Sequence, residues 1–192
     1  MLQISDKGKM VPASPIRKLV PYANRAKERG IRVFHLNIGQ PDIATPEIAL
    51  EVVRRLQMSV IEYTDSAGNH TLRSKLASYY QKLGISIDED NILITTGGSE
   101  AILFAFMSTL NEGNEIIIPE PFYANYAAFA IMVGAKIKTV TATIENNFAL
   151  PPISEFEKQI TPKTKGVVII NPNNPTGYLY SQAELEALGK MI

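Results

Sequence analysis

Residues 91–119, "NILITTGGSEAILFAFMSTLNEGNEIIIP", decide the fold. A short apolar run, "NILIT" (91–95), meets a glycine pair, passes into the longer apolar stretch "SEAILFAFMSTL" (99–110), and returns to a second short run, "EIIIP" (115–119). Short β-branched runs read as strands and the longer stretch as a helix. Downstream the same alternation continues through "FYANYAAFAIMV" (122–133), "KIKTV" (136–140), "ISEFEKQI" (153–160) and "GVVII" (166–170), and a last helical stretch starts near Ser181. The four short runs are mostly apolar, which predicts strands buried on both faces. Parallel neighbours need crossovers and crossovers are usually helical, so the βαβαβαβα order predicts an α/β fold: a mainly parallel, doubly wound sheet with helices on both faces.

Upstream of that region, "PEIALEVVRRLQMSV" (46–60) repeats Ile48, Val52, Leu56 and Val60 four apart. In "HTLRSKLASYYQKL" (70–83), Leu72, Leu76, Tyr79 and Leu83 share one helical face. Both read as amphipathic helices packed on the sheet. Residues 1–45 hold a helix over 16–29 and an extended piece, "RVFHLNIGQPD" (32–42), and Pro41 and Pro46 mark a junction. At the other end "SQAELEALGKMI" stops without a capping Gly or Pro, so the chain is expected to be a piece of a longer protein.

Apolar residues make up 45% and charged residues 20% of the 192, the balance of a globular chain. Lys plus Arg and Asp plus Glu both number 19, which gives no basic surface for nucleic acid or an anionic membrane. Cysteine is absent, so disulfides and thiolate chemistry are excluded. With only His35 and His70 no metal site is expected. The first ten residues lack an apolar signal core and no apolar run is long enough to span a bilayer, which predicts a cytoplasmic protein. Asn69-His70-Thr71 matches a glycosylation acceptor without consequence in such a chain.

Three stretches are candidates for chemistry. In "TTGGSEA" Gly97 and Gly98 stand between a strand and a helix, where bare backbone amides at a helix N-terminus can hold a phosphate. The same residues also fit a tight turn with Ser99 as N-cap and Glu100 at the positive end of the dipole. A dinucleotide fingerprint and a Walker lysine are both missing. Tyr123 follows a strand's carboxyl end, the edge where ligands bind in open α/β sheets, and can either lie flat on a planar ring or pack with Phe122 and Tyr126. In "NPNNPTG" (171–177) Pro172 and Pro175 hold Asn171 and Asn174 out of helical geometry. Asparagine carries both a donor and an acceptor, so a rigid loop can aim one at a ligand; Asn, Pro and Gly also punctuate ordinary turns, which accounts for the composition but not for the doubled proline constraint.

Five blocks in this order, "LNIGQPDIATPE" (36–47), "YTDSAGNHTLR" (63–73), "ITTGGSEAI" (94–102), "PEPFYANY" (119–126) and "ITPKTKGVVIINPNNPTG" (160–177), resemble those of the class I/II aminotransferases, pyridoxal-phosphate enzymes of fold type I, and within them the aspartate-type and related aromatic or alanine enzymes. The resemblance implies residues 1–45 as an arm with part of a small domain and residues 46–192 as an incomplete cofactor-binding large domain. It implies pyridoxal 5'-phosphate as cofactor, with Asn174 on the ring's phenolic oxygen, Tyr123 stacked on the ring, and Gly97, Gly98 and Ser99 around the phosphate. Tyr63 would reach the phosphate of a neighbouring subunit in a homodimer with shared sites. Gly39, with Tyr123 and Asn174, would face the substrate.

The resemblance further implies that the Schiff-base lysine, the aspartate on the pyridine nitrogen and the arginine for the substrate carboxylate lie downstream of Ile192, so that this stretch alone is inactive. Lys163 and Lys165 precede a strand on the end away from the ligand edge and Lys190 lies in the last helix; all three read as solvated surface lysines. The implied reaction moves an amino group from an amino acid, aspartate among the candidates, to a 2-oxo acid. Some dicarboxylate-specific relatives carry a lysine where this chain has Ser99. A lyase or decarboxylase of the same fold would share the same cradle, and a non-catalytic aminotransferase-like module is the alternative outside enzymes. The few tens of residues before "NIGQPD" leave no room for the DNA-binding domain of aminotransferase-like regulators. A plain phosphate-ligand α/β domain is the third alternative.

Overall fold

The computed structural model describes residues 2–14 and 16–192. They form two compact units, one of Met1–Leu19 with Gly98–Ile192 and the other of Val20–Gly97.

The first unit holds α1 (Asp6–Met10), α5 (Gly98–Thr109), β1 (Glu115–Glu120), α6 (Asn125–Val133), β2 (Lys136–Thr141), α7 (Ile153–Glu157), β3 (Thr164–Val167) and α8 (Gln182–Gly189). Its sheet is parallel, in the order β2-β1-β3. Side chains alternate between the faces of a strand, and β1 uses both. Ile116 and Ile118 pack with Phe106 and Leu110 of α5 and with Phe129 and Ala130 of α6. Ile117 packs on the other face with Val140, Phe156 of α7 and Leu188 of α8. Ile117, Ile118 and Phe156 are the largest fully buried side chains, each worth about 1.5–3 kcal/mol of burial.

The expected parallel α/β sheet with helices on both faces is therefore present, with local differences. Only β1 is buried over most of its length, all but Glu120, because β2 and β3 are its flanks and leave most of their residues half-buried or exposed. Residues 91–95 form no strand: Ile92 is extended, but Asn91 and Ile92 N–H bond back to the Asp88 and Glu89 carbonyls, Ile94 N–H bonds the Ala67 carbonyl, and no ladder partner lies alongside among the described residues. The strand expected at 166–170 is the shorter, earlier β3, and Val168 N–H continues it by one bond to the Ile117 carbonyl. The helix expected over 153–160 stops at Glu157, and Gln159 and Ile160 N–H turn to the tighter i−3 carbonyls of Phe156 and Glu157. Helix α1 has no counterpart in the sequence reading; Ser5 caps it by accepting from Gly8 N–H.

The second unit contains α2 (Val20–Glu28), α3 (Glu47–Arg54) and α4 (His70–Lys82). The helices expected against the sheet, 46–60 and 70–83, thus belong to a unit without a strand. Helix α3 ends at Arg54, not at residue 60, and buries no side chain; an amphipathic stripe with nothing packed on it does little to extend a helix. Helix α4 starts where Asn69 accepts from Leu72 N–H, which gives Asn69-His70-Thr71 a capping role. Arg73, 7% exposed, donates to the carbonyls of Glu89 (2.7 Å) and Gly68 (3.3 Å) and lies 3.6 Å from the Asp90 carboxylate. No helix among the described residues is long and apolar enough to cross a membrane.

Candidate active site at a sheet rim

Parallel strands end on one rim. The connection leaving β1 leads to α6, on the face of Ile116 and Ile118, whereas the chain leaving β3 leads to α8, on the face of Ile117. Neighbouring strands whose connections depart to opposite faces open a crevice between them, the usual ligand position in open α/β sheets. Tyr123 lies just past β1 and Asn171–Gly177 just past β3, so both flank that crevice.

Helix α5 delivers a third group to the rim. Its C-terminal end is tied to the start of β1 by a short turn, in which Asn114 Oδ1 accepts from Asn111 N–H. Twelve residues rise about 18 Å, comparable to the length of β1, and Phe106 and Leu110 hold the helix alongside the strand. Gly98 and Ser99 in its first turn consequently reach the carboxyl rim. Ser99 lies inside the helix and is not its N-cap. A Cβ at Gly98 would meet nothing within 4 Å, so there is open space beside this residue.

The loop 171–177 uses its asparagines unequally. Asn171 Oδ1 accepts from Tyr180 N–H (3.0 Å). The buried Asn173 accepts on Oδ1 from both the N–H and the hydroxyl of Thr176 (3.2 and 3.0 Å), and its own N–H donates to the Tyr178 carbonyl (2.8 Å). Asn174 is exposed and makes no side-chain hydrogen bond to the described residues. Two asparagines hold the loop, and the third is left with its amide uncommitted. The Asn171-Pro172, Asn174-Pro175 and Glu120-Pro121 bonds are cis.

Tyr123 is half-buried and its hydroxyl accepts from Asn125 Nδ2 at 2.8 Å. Tyr126 meets its ring edge-on at 6.2 Å and also borders Phe106, Phe122 and Phe129. The two readings of Tyr123 are thus compatible: the aromatic cluster orients it and its ring stays partly open. Burial, then the neighbouring Tyr123, raise the Tyr126 hydroxyl above its ordinary value, so it stays protonated.

The remaining candidates belong to the other unit. Gly97 has φ +80°, a conformation that favours glycine, and its carbonyl accepts from the Thr95 hydroxyl. Tyr63 is fully exposed, and a Cβ at Gly39 would meet nothing within 4 Å. Among the lysines, Lys163 accepts through its carbonyl from Glu115 N–H at the opposite rim, beside Lys165 in β3, and Lys190 follows the far end of α8.

A phosphorylated planar cofactor fits these donors. A helix start with space beside Gly98, a half-buried tyrosine ring and an uncommitted amide are the groups that suit a phosphate, a ring and a polar ring oxygen. What sequence reasoning missed is the support: Asn125 on Tyr123, Asn171 and Asn173 inside the loop, and Glu184 below it. The Ser181-x-x-Glu184 pattern carried a signal, since it is the capping-box spacing, and both halves of that box are formed.

The pattern of the family "Aminotransferase class I and II" matches residues 31–192. The chain is 34% identical to the aspartate aminotransferase of Thermotoga maritima, over 94% of this chain and 48% of that protein. It is 36% identical to aromatic-amino-acid aminotransferase 2 of Thermococcus litoralis, over 97% and 48%. The solved structure of Thermus thermophilus aspartate aminotransferase with maleate superposes with a TM-score of 0.90 at 30% identity, covering all of this chain and 50% of that one. The chain spans about half the length of the curated relatives it matches. It belongs to the class I and II aminotransferases.

Proposed function

We propose that the whole protein is a pyridoxal 5'-phosphate-dependent aminotransferase, moving an amino group from an amino acid to a 2-oxo acid. The observation that carries this reading is Asn174, whose amide alone among the loop's three asparagines is uncommitted, in a loop that follows β3 as Tyr123 follows β1. When bound, the cofactor supplies the electron sink that stabilises a carbanion at the substrate Cα. The chain's own residues do the holding. Backbone amides at Gly98 and Ser99, with Gly97 shaping the approach, bind the phosphate; the Tyr123 ring stacks on the cofactor; Asn174 Nδ2 donates to the ring oxygen. Tyr123 and Asn174 also border the substrate.

Residues 1–45 are read as the arm with part of a small domain, and 46–192 as the first part of the cofactor domain. The full exposure of Tyr63 supports a reach to the phosphate of a second subunit in a homodimer. The absence of cysteine is in keeping with the cytoplasm. Aspartate is the donor to try first and an aromatic amino acid the second, following the relatives' names.

In the full-length protein with 2-oxoglutarate, transfer yields glutamate, whereas a lyase of the same fold would release ammonia. Asn174→Ala should weaken cofactor binding by about ten- to a hundredfold, the worth of one hydrogen bond to a charged group. It should also move the pH at which the bound cofactor changes absorbance. An unchanged titration in that variant would remove Asn174 from the site.

A further inference from the structure

Glu184 has no part in the roles above, yet three segments converge on it. Its Oε2 accepts from the N–H and hydroxyl of Ser181 (2.7 and 2.6 Å), which is the helix cap of α8. Its Oε1 does something a cap does not require: it accepts from Leu150 N–H (2.9 Å), in the segment that follows β2, and from the Tyr178 hydroxyl (3.1 Å), at the exit of the 171–177 loop. Tyr178 in turn grips that loop from both sides of Asn174. Its carbonyl accepts from Asn173 N–H (2.8 Å), and its N–H donates to the Thr176 hydroxyl (3.2 Å), which donates onward to Asn173 Oδ1 (3.0 Å). The ring of Tyr178 is steadied edge-on by Tyr180 at 5.4 Å, whose N–H is held by Asn171.

Asn174 itself has no bond to fix its direction, so its aim is set by Asn173 and Thr176, and theirs by Tyr178. We propose that Glu184 is a positioning residue, which holds Tyr178 and through it the Asn173–Thr176 turn that points Asn174 at the cofactor ring. The inference rests on the reading that Asn174 contacts the ring oxygen. Residues that act through a shared contact do not add in their effects, and that separates positioning from a merely structural role.

The test uses the full-length protein and pyridoxal 5'-phosphate, with Asn174→Ala, Glu184→Ala and Tyr178→Phe singly and with each of the last two combined with the first. The dissociation constant of the cofactor and the pH titration of its absorbance are measured, and amide exchange at Asn173 and Gly177 is followed in the cofactor-free protein. Glu184→Ala and Tyr178→Phe should each weaken binding about two- to tenfold, the worth of one intramolecular hydrogen bond. They should shift the titration in the direction of Asn174→Ala, speed exchange at both amides, and add nothing in the Asn174→Ala background. Tyr178→Phe leaves the α8 cap and the Leu150 bond in place, so it decides the matter if Glu184→Ala does not fold. Should Asn174→Ala move the titration while the other two leave it in place, or add fully to it, Glu184 is a helix cap only and the inference falls alone. If Asn174→Ala moves nothing, the reading of the site falls and takes this inference with it.

Discussion

Gly68 has φ +93°, and a Cβ built on it would stand 2.5 Å from the Cβ of Ile94. Left-handed strain and the overlap act together, so Gly68→Ala should cost about 2–5 kcal/mol, read as a lower urea midpoint of the full-length protein. Ile94 precedes the Gly97-Gly98 turn, so this glycine keeps two family-like blocks in register, "YTDSAGNHTLR" and "ITTGGSEAI". Glu184 offers a second test on the scale of one side chain. Burial works to raise its carboxyl, but the bonds from the Ser181 side chain and backbone, from Leu150 N–H and from the Tyr178 hydroxyl outweigh it and leave it below its ordinary 4.5. Burial and the Glu184 bond push the Tyr178 hydroxyl the other way, so the proton between them stays on the tyrosine. A lowered folded value means stability that is complete above the ordinary pKa and is lost as pH falls through the folded one. Urea midpoints should therefore drop on acidification below about pH 4.5, and drop less in Glu184→Gln.

Helix α7 is one short turn fastened to the sheet by Phe156, which is wholly buried with Ile117, Val140 and Leu188. Phe156→Ala should cost about 3–5 kcal/mol, seen as a lower thermal midpoint, with a smaller effect on cofactor binding because the side chain points into the core. Elements of this kind were the legible ones. The β-branched runs at 115–119 and 136–140 are strands in place, and the helices of 99–110 and 122–133 differ by a residue or a few at their ends, because local pattern and packing agree there. Residues 91–95 carried the same signal without becoming a strand, since a ladder needs a second chain segment that no local pattern reports. The four-residue spacing at 46–60 likewise announced a face, while the helix formed over only part of it. At the candidate site the loop pattern marked Asn171 and Asn174 alike and only the family resemblance singled out Asn174, while the residues that secure the loop were not legible, because hydrogen bonds such as Leu150 N–H to Glu184 join positions far apart in the chain.

The order β2-β1-β3, and with it the crevice between β1 and β3, followed from no single stretch of sequence; it is a property of how the strands assemble. The whole molecule also carries apolar surface that its own residues leave open. Ile43, Ile48, Val53 and Ile61 are all at least 66% exposed. Apolar side chains left this open favour association, so the 192 residues produced alone should self-associate with rising concentration and bind a hydrophobic dye. A monodisperse, dye-silent monomer in sedimentation would contradict that. Because β3 follows β1 and β2 in the chain and supplies one wall of the crevice, biosynthesis makes the two walls one after the other. Translation must release Gly177 from the ribosomal tunnel before both walls can stand together, so a nascent chain halted after β2 would display the Tyr123 wall with nothing opposite it.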